Sequence, residues 1–276
     1  VVLTPDDAVA TIGKFNQKDV DRAHDILASI PESLRHTAAE PFGARAVIYC
    51  MLLDHNPDVL ATQQAALETQ ADPAVIQLTV QLRDEFQNLP EAARLPLAGL
   101  ALPTLRSLSK EQYERFRAVV QVLIAADNKV SLNEWTLTHF LLRRLDEHFG
   151  LQQPPEAKFS MLGDVNREAS LLISLVAHAE HPGAADAAEL AFKAGITAAG
   201  ATALKFVPRA DLNLGEMAVA VDKLAELKLL LKPRIIKACA AVIMHDGQAT
   251  VRGHELLRTI ASCLDCPMPP LSAPER

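Results

Sequence analysis

The chain has 276 residues, 49% hydrophobic but only 4% aromatic, enough for one large core or two smaller ones, with the Ala and Leu content that favours closely packed helices. A formal net charge of −7, with no basic cluster along the chain, argues against a nucleic-acid partner. Four cysteines without a disulfide framework, and no N-x-[ST] site, fit a reducing compartment.

Helix starts punctuate the sequence. TPDD (4–7), NPDV (56–59) and DPAV (72–75) each set a capping side chain before a proline at the first helical position. The first two add acid in the first turn, where the helix dipole favours it. Ser109 with Gln112, and Ser131 with Glu134, have capping-box spacing. No signal peptide stands before the first start, and the chain, opening at Val1, is expected to be a domain of a longer protein. The longest wholly apolar runs, AVIYCMLL (46–53) and ACAAVIM (238–244), are far short of the roughly 18–20 residues of a bilayer span and are expected to be core helices. No direct membrane insertion by this chain is expected.

Breaks are predicted at 89–103 (LPEAARLPLAGLALP), at 150–164 (GLQQPPEAKFSMLGD) and in the tail CPMPPLSAPER. The first divides an N-terminal helical subdomain (1–100) from a second helical domain (101–276). The second is a loop long enough to be functional or mobile. Leu95, Leu97, Leu100 and the tail leucine are apolar residues in loop-like places, a pattern that marks a docking surface or simple packing of a loop. No period-2 strand is predicted, so the fold class is all-α.

Two segments align without a gap, LIAADNKVSLNEWTLTHFLL (123–142) and VIMHDGQATVRGHELLRTIA (242–261). In each, an apolar helix ends in Asp (Asp127, Asp246), a turn follows (Asn128, Gly247), and Ser131 or Thr250 caps a second amphipathic helix. In the later copy Leu256, Leu257, Ile260, Ala261 and Leu264 form one stripe. A third echo, 49–67, is again helix, Asp, turn, helix. The repeat predicts a pseudo-symmetric pair of helical hairpins.

The acidic turns invite a calcium reading. An EF-hand loop needs about twelve residues, with glycine at the sixth and glutamate at the twelfth, and the segment from Asp127 to Glu134 is too short. In the second copy Gly253 replaces the glutamate. The ordinary role of Asp127 and Asp246 is to tie their turns by side-chain to backbone bonds. Asp127, Glu134 and Asp246 remain candidate cation ligands, for a site at which both turns would converge.

HELLR (254–258) begins like the zinc signature H-E-x-x-H, in which histidines at i and i+4 grip one ion. Arg258 holds the place of the second histidine, and a guanidinium cannot ligate zinc. Cys263 and Cys266 form a single C-x-x-C without the second pair of a zinc ribbon, and are expected to be small buried hydrophobes. His178 and His181, followed by Asp186 and Glu189, are read as helix-end residues. Ser160 and Ser170 lie in no nucleophile motif, and no catalytic residue is assigned. Trp135 is expected to be a core anchor.

The pattern AD-x-x-V-S-x-x-E followed by a leucine stripe resembles the tellurite-resistance TerB-like fold, an all-helical domain of two pseudo-symmetric hairpins. Asp127, Asn128, Val130, Ser131 and Glu134 match its first turn; Asp246, Gly247 and Thr250 match its second, and Gly253 departs from it. Some members are associated with divalent metals, which implies a cation-binding sensor as the alternative function. Over nearly the whole chain, the segments RLPLAGLALPTLRSLSKEQYERFRAVVQVLIAADNKVSLNEWTLTHFLLRRL, ELLRTIASCLDCPMPP, VVLTPDDAVATIG and SIPESLRHTAAEPFGARAVIYCMLLD resemble the C-terminal extension of bacterial HtpX-like membrane zinc metallopeptidases. That resemblance covers none of the catalytic zinc ligands. It implies a non-catalytic accessory or regulatory domain. The parent's H-E-x-x-H domain, zinc and membrane anchor would lie elsewhere, and the domain would stand on the cytoplasmic side of the inner membrane. Its implied partners are the catalytic domain, a protein substrate or a regulator; the chain itself is expected to carry no cofactor.

Overall fold

The computed structural model describes residues 4–54, 56–126, 132–247 and 250–270, with backbone alone at Asn133, Glu134 and Leu214. Among these, α1 (Pro5–Ala10), α2 (Gln17–Ser29), α3 (Glu32–Ala38), α4 (Pro41–Leu52), α5 (Pro57–Gln70), α6 (Pro73–Gln87) and α7 (Glu91–Arg106) are followed by α8 (Lys110–Ala126), α9 (Leu132–His148), α10 (Asn166–Glu180), α11 (Ala185–Ala198), α12 (Leu214–Ala225), α13 (Lys232–Ile243) and α14 (Val251–Cys263). The only extended pairing among the described residues is one isolated parallel bridge, Phe159 to Leu227. The fold is all-α, as expected.

The helices begin where short-range chemistry places them. Thr4, Asn56 and Asp72 accept backbone N–H bonds from Asp7, Asp58 and Ala74, each ahead of a proline in the first turn. Ser109 and Gln112 exchange the two bonds of a capping box, at 2.9 and 3.2 Å. Thr250 Oγ1 accepts from Gly253 N at 2.9 Å. The capping box expected at Ser131 and Glu134 lies outside the described residues.

The predicted break at 89–103 is instead one continuous helix, α7, which contains Pro96 and Pro103. An internal proline costs about 3 kcal/mol through a lost hydrogen bond and a clash. Here Ala93, Leu97, Ala98, Ala101 and Leu105 are all buried along one side, and burying large apolar side chains at about 1.5–3 kcal/mol each offsets that cost. The apolar residues of this stretch are therefore not a loop: Leu97 is fully buried and Leu100 sits on the outer side of the helix. In the tail, Met268 is buried and Pro267 O accepts a bond from Gly13 N. The tail leucine, Leu271, lies outside the described residues.

The chain divides into two compact units, residues 4–23 with 154–270, and residues 24–153. The boundary expected at 100/101 falls inside α7. In the second unit, α4 is buried along Gly43–Leu52 and packs against α6, α7 and α8, with Tyr113, Phe116, Val120 and Leu123 of α8 closing the core. Trp135 is buried there at the start of α9, its ring stacked on His139. In the first unit, α10, α11 and α13 pack on one another. A Cβ at Gly195 would lie 2.7 Å from Val242 Cγ2 and 2.8 Å from Ala238 O, so glycine is what lets α11 and α13 approach this closely.

Each repeat segment spans the end of one helix and the start of the next: α8 and α9 for 123–142, α13 and α14 for 242–261. The echo at 49–67 does the same with α4 and α5. The 150–164 loop is pinned rather than free. Lys158 N and Phe159 N donate to Glu226 O at 2.8 and 3.2 Å, and Lys228 N donates to Phe159 O at 3.0 Å.

Candidate functional site

The α13–α14 hairpin carries most of the residues singled out in the sequence. Apolar α13 is buried from Ile235 and Ile236 through Ile243, with Lys237 as its half-exposed edge. Gly247, at φ +74°, then reverses the chain in a left-handed conformation that suits glycine, and its N–H bonds to Met244 O. Asp246 is exposed beside it. Gly253, which stands where the first copy has Glu134, leaves room for a carboxylate from another helix. A Cβ at Gly253 would lie 3.3 and 3.4 Å from the two carboxylate oxygens of Glu180, at the end of α10.

Burial raises the Glu180 carboxyl above the usual range; Arg252 opposes that rise and Asp246 adds to it. Glu180 was invisible to the motif reading because it lies on a helix remote from the hairpin in sequence. Asp127, Asn128 and Ser131 lie outside the described residues, as does the side chain of Glu134. Among the described residues, no three His, Cys, Asp or Glu side chains gather as a donor set for a metal. His178 bonds Val207 O and stacks near Phe206, and Glu189 pairs with Lys193.

The HELLR stretch lies within α14, which is buried from Gly253 through Ala261. Arg258 Nη1 donates to both oxygens of Glu255, at 2.9 and 2.7 Å, with both side chains about nine-tenths covered. The residue that departs from the zinc signature therefore neutralises the glutamate that would have been its base. His254 is 3% exposed, and neither of its ring nitrogens has a hydrogen-bond partner among the described residues. Burial, and secondarily the charge of Arg22, holds its pKa below the ordinary histidine value.

A pH dependence follows from His254. Above about pH 6.5 the ring is neutral in both folded and unfolded chains and contributes no dependence. As pH falls below that value the unfolded chain takes up the proton first, so stability declines until the depressed folded-state pKa is passed. Urea midpoints measured from pH 7.5 to 5 should fall more steeply for the unaltered chain than for His254→Leu. Parallel curves would show that His254 does not contribute.

The thiols are internal. Cys239, Cys263 and Cys266 are buried and form no disulfide, and burial pushes the Cys239 thiol up to about 12 and raises Cys266.

The outer surface of the same unit holds a feature that the motif reading missed. Between α12 and α13, Leu229 and Leu230 are 66% and 88% exposed on a turn. That turn is closed by Leu231 N bonding to Lys228 O at 2.8 Å, and braced by the bonds between 158–159 and 226–228. Lys158 and Glu226 add an ion pair of 2.6 Å. Met161, two residues beyond Phe159, is also exposed. The signal in the sequence was KLLLK (228–232), three leucines between lysines, but a short apolar run reads alike whether buried or presented.

No family model, no curated protein and no solved structure matches the chain.

Proposed function

We propose that this chain is a non-catalytic contact domain of a larger, membrane-anchored zinc peptidase, regulating proteolysis by docking on the catalytic domain. The observation that carries the contact role is the exposed Leu229–Leu230 pair on a hydrogen-bonded turn. Single exposed leucines are ordinary, whereas an adjacent pair held out on a braced turn is an apolar contact point. Two leucines fall well short of the roughly 1,200 Å² of a stable free-standing interface. A partner tethered in the same protein compensates, because a linker raises the effective concentration to about the millimolar range. The resemblance of the four quoted segments to the extension of HtpX-like peptidases supports the choice of partner. Zinc, catalysis, the anchor and the cytoplasmic side belong to the parent in this proposal, whereas the pseudo-symmetric relation of the two hairpins, 123–142 and 242–261, is proposed for this chain. No helix among the described residues is long and apolar enough to cross a membrane.

One observation favours the alternative of a divalent-cation sensor: Glu180 brings a second carboxylate toward the Asp246 turn. Calorimetric titration with Ca²⁺ and Mg²⁺ separates the readings. Micromolar binding that Asp246→Ala and Glu180→Gln both abolish would replace the contact reading with the sensor.

The docking reading is tested with the catalytic domain and this chain on separate polypeptides at about millimolar concentration, which replaces what the tether supplies. Because both leucines are exposed, Leu229→Asp with Leu230→Asp should leave the melting midpoint unchanged while weakening association at least about tenfold, the ratio for roughly 1.4 kcal/mol of lost contact. Equal affinity for the two forms would remove the turn as the docking point.

A further inference from the structure

In the first unit, Ser170, Ser174 and His178 recur at every fourth residue of α10 and so share one face of the helix. All three hold the segment 204–207. Ser170 Oγ accepts from Lys205 N at 3.0 Å, Ser174 Oγ accepts from Val207 N at 2.9 Å, and His178 Nε2 donates to Val207 O at 3.1 Å. The spacings match, because four residues of helix rise about 6 Å and two residues of extended chain about 6.6 Å. The segment therefore runs extended and edge-on along α10, with the Phe206 ring against that of Phe192 in α11, 5.5 Å between centres. Extended backbone alternates the direction of its amides. While Lys205 and Val207 face α10, the N–H and carbonyl of Phe206 and the carbonyl of Leu204 face away from it. None of these three groups makes a hydrogen bond among the described residues. An unpaired edge of this kind is a template for one more strand. The charged side chains along it, Lys205, Arg209 and Asp211, are all exposed, and neither cation is in an ion pair among the described residues.

We propose that the outer edge of 204–207 binds an extended, acidic peptide by strand addition. The peptide backbone pairs with Phe206 N–H, Phe206 O and Leu204 O, and its carboxylates lie against Lys205 and Arg209. The inference is independent of the docking proposal, which concerns the Leu229–Leu230 turn. Amide hydrogen exchange and a nuclear magnetic resonance titration of the whole chain test it, with acetyl-EVTVE-amide as the probe. In the free chain the Lys205 and Val207 amides should be protected, and the Phe206 amide between them should exchange freely. The probe should give saturable shifts at the Phe206 amide in the millimolar range. The same peptide N-methylated at its three central residues, which blocks its own edge, should give none. Lys205→Glu with Arg209→Glu should weaken the response to the probe at least about threefold, the order expected of two surface charges, and turn the preference toward acetyl-KVTVK-amide. Both positions are exposed, so this variant should fold, and spectra away from the segment check this. A Phe206 amide protected in the free chain, no saturable shift with the probe, or an equal response to the methylated peptide overturns strand addition. An unchanged response in the charge-reversed variant overturns the acidic partner.

Discussion

Replacing Gln63 by Met should destabilise the second unit by about 3 kcal/mol or more, the expected cost of orphaning buried polar groups at about 1–3 kcal/mol each. Gln63 is fully buried in α5. Its Nε2 donates to Leu52 O at 2.7 Å and to Leu123 O at 3.1 Å, and its Oε1 accepts from Asp54 N at 2.8 Å. Leu52 ends α4 and Leu123 lies in the last turn of α8, where carbonyls have no partner within their own helix. One amide therefore joins two helix ends and the N–H that follows one of them. Methionine preserves length and apolar stem but none of these bonds. Gln63→Glu should be worse near neutral pH, because a carboxylate oxygen would face two carbonyls, and should recover in part on acidification. Urea unfolding of the three forms reads the effect. A cost below about 1 kcal/mol for Gln63→Met would mean that water reaches these groups and that the clasp contributes little.

Arg258→Met should cost a similar amount, about 3–5 kcal/mol, the range for removing one partner of a buried ion pair. Methionine fills the space of the arginine stem but leaves the Glu255 carboxylate, which is 11% exposed, without the guanidinium that holds both its oxygens. The cost lies in the Glu255 charge losing this guanidinium rather than in the pair itself. The double replacement Glu255→Leu with Arg258→Met should accordingly recover most of the loss. If the double variant is no more stable than the single one, shape and not charge is what Arg258 supplies.

The contrast between these sites and the helix starts shows which parts of the fold were legible. Thr4, Asn56, Asp72, Ser109 and Thr250 were readable as caps because each acts on a backbone group two or three residues away. The buried runs in α4 and α13 were readable because they are apolar on every side. α7 was not, since its prolines are local signals while the burial that overrides them comes from packing against α3, α4 and α9. A boundary at 100/101 was a linear reading of a chain whose first unit is assembled from both of its ends. The candidate site was half legible: Asp246, Gly247 and Thr250 occupy their expected turn, whereas Glu180 arrives through tertiary packing. Leu229 and Leu230 carried no mark that separates a presented leucine from a buried one.

The central proposal is that this chain works by contact within a zinc peptidase. Its most direct test compares the full-length protein with the same protein lacking this segment, measuring zinc content and the cleavage of natural substrates. The account predicts stoichiometric zinc in both, with cleavage altered in the shortened form. A full-length protein with neither zinc nor peptidase activity would contradict it. So would a shortened one that cleaves every such substrate at the normal rate with normal stability and assembly.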